Sequence, residues 1–204
     1  MKKDERQILV GTKNAGKIRE LKNLLAEVPI NLRDLNEFEN IVEPEETGAT
    51  FAENAALKAV YYARETGIGA LADDSGLEVE ALNGAPGVYS ARYAGETASD
   101  AEKISKLLRE IKDSASANRS ARFVCAIALT DETGEIVFQT EGICKGKIAL
   151  AANGQNGFGY DPVFIPEGFD HTFGELSGEI KSRLSHRARA IEKIIRFLRD
   201  FSAV

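Results

Sequence analysis

The stretch QILVGTKNAGKIRELKNLLAEV, residues 7–28, decides how this chain folds. QILVG is a short apolar run and reads as a buried strand. From Asn14 the apolar residues Ile18, Leu21, Leu25 and Val28 fall three or four apart, one face of a helix, and Pro29 ends it. A strand feeding a helix through a glycine-bearing turn is the opening unit of an α/β sheet. That turn points backbone N–H groups and the positive end of the helix dipole at one spot, which favours an anion. Lys13 and Lys17 add charge there, and Thr12 and Asn14 add neutral hydrogen-bonding groups. The stretch also comes within one residue of a P-loop. Gly11, Gly16 and Lys17 satisfy the pattern, but Ile18 stands where a Ser or Thr would hold Mg²⁺. Ile18 belongs to the apolar stripe instead. Two readings remain: a different phosphate-binding turn, or an ordinary strand–helix turn with solvated lysines.

Working outward, INLRDL reads as a second strand, and the acidic stretch NEFENIVEPEETGAT as a loop. A helix is expected from about residue 51 to 65, with Phe51, Ala55, Ala59 and Tyr62 on one side and Gly67 closing it. ALADDSGLEVEAL predicts two strand segments around a tight turn at Asp74, Ser75 and Gly76. NGAPGVYSARYAG is an irregular loop. Ser99 and Glu102 form a capping box for a helix carrying Ile104, Leu107, Leu108 and Ile111. ARFVCAIALT and EIVFQTEGICKGKI are strands joined by the hairpin turn DETG. AANGQNGFGYDP is a glycine-rich loop. Ser185 starts a last helix with Ile191, Ile194, Ile195, Leu198 and Phe201 inward. Helices and strands alternate early and the hairpin comes late, which predicts a mixed α/β sheet with helices on its faces.

Length and composition narrow the function. A chain of 204 residues suffices for one substantial domain. The net charge of −6 argues against a generic nucleic-acid binder. It leaves room for an anionic small substrate, because local lysines and a metal ion can reverse the field at a site. No apolar run approaches the ~18 residues of a membrane span. The start MKKDERQILVGT lacks the apolar core of a secretory signal, so a cytoplasmic protein is expected. Cys125 and Cys144 form no CxxC pair or zinc spacing and read as buried thiols.

Candidate chemistry clusters in four places outside the opening turn. Glu43, Glu45 and Glu46 lie on the acidic loop and could meet Mg²⁺, which prefers carboxylates and keeps waters; a solvated acidic loop explains them equally. In ADDSG, strand alternation sends Asp73 and Asp74 to opposite faces, so only one can face a given site. FGYDP, residues 158–162, puts two aromatics and a carboxylate on a loop, which suits stacking on a flat ring. Ser185 is explained as an N-cap. His186 and Arg187 are not, because cations oppose the dipole at a helix N-terminus, and they point to an anion or polar ligand. No Ser/His/Asp triad is evident, and His171 reads as a surface residue.

Taken together, TKNAGK, EETGATFAENAALKA, ADDSG, GAPGVYSARYAG, GFGYDPVF and EIKSRLSHRARA occur in the order and spacing of one family. The chain resembles, from about Ile8 to Phe201, the inosine triphosphatase family, the pyrophosphatases of non-standard purine nucleoside triphosphates. The resemblance implies an elongated mixed β-sheet flanked by helices, an α/β/α fold. It implies a single domain over residues 1–204, with room for two lobes and the active site between them. It implies hydrolysis of ITP, dITP and XTP to the monophosphate and pyrophosphate with Mg²⁺, by a cytoplasmic homodimer that cleanses the nucleotide pool without nucleic acid or membrane.

Carried over by motif, the turn Thr12, Lys13, Asn14, Ala15, Gly16 and Lys17 would bind the triphosphate, with no specific role for Lys13. Lys58 is a further phosphate candidate. Glu45 and Asp74 would hold Mg²⁺, with Asp74 also the general base. Ser75 would touch substrate. Phe158, Gly159, Tyr160 and Asp161 would line the base pocket, and Lys181, His186 and Arg187 would contact base or phosphate. Where relatives often carry Asn after the lysine, this chain has Ser182. The competing classes are a nucleotide-binding module without turnover and a P-loop-like NTPase.

Overall fold

The computed structural model describes residues 6–201; the expectations for the first five residues, and for the side chain of Phe201, lie outside the described residues. The chain runs β1 (Arg6–Val10), α1 (Ala15–Leu24), β2 (Ile30–Asp34), α2 (Phe51–Thr66), β3 (Ala70–Val79), α3 (Asp100–Asp113), β4 (Ser120–Thr130), β5 (Ile136–Ile148), β6 (Phe164–Pro166), α4 (Gly178–Leu184) and α5 (His186–Phe201). The six strands form one sheet in the order β2-β1-β3-β4-β5-β6. β1 pairs parallel with β2 and with β3, and β5 pairs antiparallel with β6. The sheet is therefore mixed, as the alternation of elements predicts.

The chain divides into two compact units. Among the described residues, the first comprises 6–74, 125–142 and 189–201. Its main core joins Ile8 and Val10 of β1, Leu21 of α1, Leu25 and Val28 just after it, and Ala190, Ile191, Ile194 and Leu198 of α5. Ile18 packs against this core from its margin, so position 18 is structural and supplies no metal ligand. A second cluster holds Leu9, Leu35, Tyr62, Ala63 and Ala70. α2 begins at a capping box, in which Thr50 caps the Glu53 amide and Glu53 caps the Thr50 amide. It ends at Gly67, whose φ of 65° is left-handed and suits a residue without Cβ.

The second unit comprises residues 75–124 and 143–188. Ile104, Leu107 and Ile111 of α3 pack with Leu77, Val79, Phe123, Cys144, Phe164 and Phe173. The Ser99–Glu102 capping box is present at the start of α3. Both cysteines are buried thiols.

Two sequence expectations are corrected. ADDSG does not turn, and β3 runs unbroken from Ala70 to Val79. Asp and Gly favour turns when the Asp side chain satisfies its own backbone; here Asp73 and Asp74 find partners on other elements instead. An additional helix, α4, precedes Ser185, capped by the side chain of Ser177 on the Ile180 amide. Ser185 still caps α5, accepting from the Ala188 amide at 3.1 Å.

Candidate active site

In the first unit the turn after β1 is held tightly. The Gly11 amide donates to the Leu71 carbonyl at 2.8 Å. A Cβ on Gly11 would lie 2.9 Å from the Tyr62 ring and 3.0 Å from the Ala72 methyl, so only glycine lets the turn approach β3 and α2 this closely. Asn14 is the N-cap of α1, its side chain accepting from the Lys17 amide at 3.0 Å, and Thr12 Oγ1 accepts from the Asn14 amide at 3.2 Å. Ala15 and Gly16 form the first turn of α1. Lys13 points elsewhere: its ammonium donates to the Ile41 carbonyl at 2.8 Å and so ties the turn to the acidic loop.

Lysines and carboxylates meet beside this turn. Lys17 Nζ lies 3.1 Å from Asp73, whose side chain is 0% exposed. Lys58 Nζ bridges Glu46 at 2.5 Å and Asp74 at 3.3 Å. Asn54 Nδ2 donates to the other oxygen of Asp74 at 3.2 Å, while Asn54 Oδ1 accepts from the Gly48 amide at 2.7 Å, pinning the end of the acidic loop. The Cys125 thiol lies 3.8 Å from Asp73 Oδ2.

Electrostatics bind these groups into one cluster. Burial pushes the Asp74 carboxyl up; Lys58 opposes it, Glu46 adds to it, and the net shift is upward. Burial works to lower the Lys58 ammonium, but Asp74, Asp73 and Glu46 outweigh it and the net shift is again upward. Asp73 and Asp74, expected on opposite faces of β3, each pair with a different lysine, Asp73 with Lys17 and Asp74 with Lys58. They point differently, yet Lys58 feels both, and Lys17 acts on Asp74 while pairing with Asp73.

Glu45 is exposed, and the acidic-loop residue brought to Lys58 is its neighbour Glu46. Asn54 is absent from the sequence reading, while Asp73 and Glu46 stand there only as alternatives to Asp74 and Glu45. For Asn54 the available signal was a polar residue inside the apolar face of an amphipathic helix.

In the second unit a separate constellation surrounds Phe158. Asp161, 1% exposed, accepts from Lys181 Nζ at 2.5 Å and from the Phe158 amide at 2.9 Å. The Lys181 ammonium lies 4.6 Å from the Phe158 ring centroid, and the Arg187 guanidinium 5.9 Å from it. Arg187 is itself 1% exposed and donates to Ser75 Oγ at 2.9 Å. His186 stacks on Phe123 with centroids 4.7 Å apart. The Tyr160 hydroxyl donates to the Ser90 carbonyl at 2.9 Å, and burial raises its pKa. Tyr160 and His186 thus have packing roles. His171 is exposed, as expected.

This is an α/β protein with a lysine–carboxylate cluster at a strand–helix turn and a cation-flanked aromatic loop. The chain belongs to the Ham1 family, whose sequence profile matches residues 8–197. A dITP/XTP pyrophosphatase of Bacillus anthracis is 46% identical over 193 residues, 93% of this chain and 94% of that protein. One from Nostoc sp. is 49% identical over 188 residues, 92% of each. Among solved structures, a HAM1 protein from Coxiella burnetii superposes with a TM-score of 0.88 at 41% identity, covering 96% of this chain and 99% of that one. A nucleoside-triphosphatase, dITP/XTP pyrophosphatase, from Mycobacterium abscessus gives 0.74 at 44% identity, covering 92% and 98%.

Proposed function

We propose that this protein is a nucleoside-triphosphate pyrophosphatase that hydrolyses ITP, dITP and XTP to the monophosphate and pyrophosphate. The observation that carries the chemistry is the pairing of Lys17 with Asp73 and of Lys58 with Asp74 beside the turn. The names of the relatives at 46% and 49% identity support the substrate class. Thr12, Asn14, Ala15, Gly16, Lys17 and Lys58 would hold the phosphates, and Lys17 would also neutralise charge on the leaving pyrophosphate. Such hydrolysis needs positioning and charge neutralisation more than covalent chemistry.

The cluster is suited to a divalent cation. Asp73, Asp74 and Glu46 outnumber Lys17 and Lys58, so a polyanion would enter a net negative field unless a cation came with it. The described residues contain no group of three His, Cys, Asp or Glu placed to hold a metal. Mg²⁺ takes one or two carboxylates and fills its shell with waters and substrate phosphates. Asp74 and Glu45 would hold it, and when bound it would neutralise phosphate charge and lower the pKa of a coordinated water. Asp74 would accept the proton of the attacking water.

Phe158 would stack on the base, with Gly159, Tyr160 and Asp161 shaping the pocket. Arg187, with Ser75, Lys181 and His186 around it, would donate to a 6-oxo group. A 6-amino group would leave that buried donor unpaired, which disfavours adenine.

No helix among the described residues is long and apolar enough to cross a membrane. The cytoplasm and a homodimer complete the proposal; both rest on the resemblance, and sedimentation velocity tests the dimer. Coupled pyrophosphate release from ITP, dITP, XTP, ATP and GTP, with and without chelator, tests the function. Fast chelator-sensitive release from the first three supports it, and binding without turnover would make this a nucleotide-binding module instead.

A further inference from the structure

The loop over residues 158–161 carries the aromatic ring to which the proposed function assigns the base, yet it has no regular secondary structure until its last residue. Two carboxylates fix it. One is internal: Asp161 Oδ2 accepts from the Phe158 amide at 2.9 Å, and a Cβ on Gly157 would run into that same carboxylate. The other comes from a distant point in the sequence. Asp100 Oδ2 accepts from the Gly159 amide at 2.7 Å. The remaining oxygen of Asp100 meets Lys103 Nζ at 2.7 Å.

We propose that Asp100 is a positioning residue for base recognition, holding the Phe158 ring at its working angle through the Gly159 amide. This rests on the assignment of Phe158 to the base. Three observations converge. Consecutive amides, Phe158 and Gly159, point at two different carboxylates, so the peptide planes on the two sides of the Phe158 Cα are each held. Gly159 has a φ of 60°, a left-handed conformation that a free glycine leaves readily and an external acceptor holds in place. Asp100 is the first residue of α3, directly after its N-cap Ser99, where the helix dipole favours a carboxylate. Burial works to raise the Asp100 carboxyl, but the Lys103 side chain and the Gly159 amide outweigh it and hold it below its usual range. Asp100 therefore stays ionised, and a full strength acceptor, wherever the enzyme would work. It touches neither phosphate nor metal residues, so its effect falls on the base end alone.

Asp100→Ala and Asp100→Asn separate anchoring from charge, because the Asn carbonyl oxygen can still accept from Gly159. The expected result for Asp100→Ala is a KM for ITP raised about tenfold, a smaller preference for ITP over ATP, and kcat within about twofold of wild type. Asp100→Asn is expected to restore most of the KM. Amide hydrogen exchange on the full chain gives a reading that needs no substrate: Gly159 exchanges faster in the Ala variant and near the wild-type rate in the Asn variant. Unchanged Gly159 exchange in Asp100→Ala overturns the proposal. So does faster exchange with KM and base preference unmoved, even if the melting temperature falls. If wild-type protein releases no pyrophosphate from any non-standard triphosphate, the assigned function fails, while the exchange data still judge the hold of Asp100 on the loop.

Discussion

Asp73 and Asp74 are neighbours with the same chemistry and opposite energetics. Asp73 is fully buried against Lys17, which is itself only 15% exposed. Removing one partner of a buried pair costs about 3–5 kcal/mol, because the other charge is left without compensation. Asp73→Asn is expected to destabilise the protein by about 3 kcal/mol in urea unfolding, and to lower activity by letting Lys17 drift.

Asp74 behaves in the other sense. Its folded pKa is raised, chiefly by burial, so the fold disfavours the ionised form. The contribution of this group to stability is therefore fully present below the ordinary carboxyl pKa and is lost as pH rises through the raised value. Asp74→Asn removes that loss. Its melting temperature at pH 7.5 is expected to equal or exceed that of the wild type, with the gap closing as pH falls toward 3.8, the ordinary value of an Asp carboxyl. Turnover should nonetheless drop by ~10²–10⁴-fold as the base disappears. A well-folded Asp74→Asn protein with near-wild-type activity would remove Asp74 from the mechanism.

Arg187 offers a third residue-scale measurement. It is buried, donates to Ser75 and lies over the Phe158 ring. Arg187→Lys keeps the charge and loses the planar fork. kcat/KM for ITP is expected to fall about tenfold or more, with a smaller ratio of ITP to ATP. An unchanged ratio would exclude Arg187 from base selection.

At the scale of elements, legibility followed local chemistry. The Ser99–Glu102 capping box and the Gly67 terminus are set by a few adjacent residues, and both stand as read. The apolar stripe is equally local, but α1 ends at Leu24, short of the expected Val28, and Leu25 and Val28 reach the core from the turn after it. The strand β3 was misread as two because ADDSG has turn residues, while the partners that straighten it come from Lys17 and Lys58, far away in sequence. The same blindness hid Asn54, whose two hydrogen bonds reach Gly48 and Asp74, and it left Asp73 without its partner. Short α4 was missed because seven residues leave little room for a repeating stripe. The candidate site was legible where it lies within one motif, and the ion pairs that join one motif to another were not. The α2 cap provides a test at this scale. Thr50→Ala should cost about 1 kcal/mol of stability by freeing the Glu53 amide. Because the cap lies between Gly48 and Asn54, a loss of activity larger than the loss of stability would show that the acidic loop depends on it.

For the whole molecule, an acidic chain of net charge −6 acts on a polyanion, which the lysines beside the turn, with the proposed cation, would permit where the overall field does not. Activity should accordingly depend far more on free Mg²⁺ than on monovalent salt. The central claim is that cleavage falls between the α and β phosphates. Separating the products of ITP turnover by anion-exchange chromatography, with Mg²⁺ present, tests it most directly. IMP and pyrophosphate are expected in equal amounts, with no IDP at any time point. IDP and orthophosphate would contradict it.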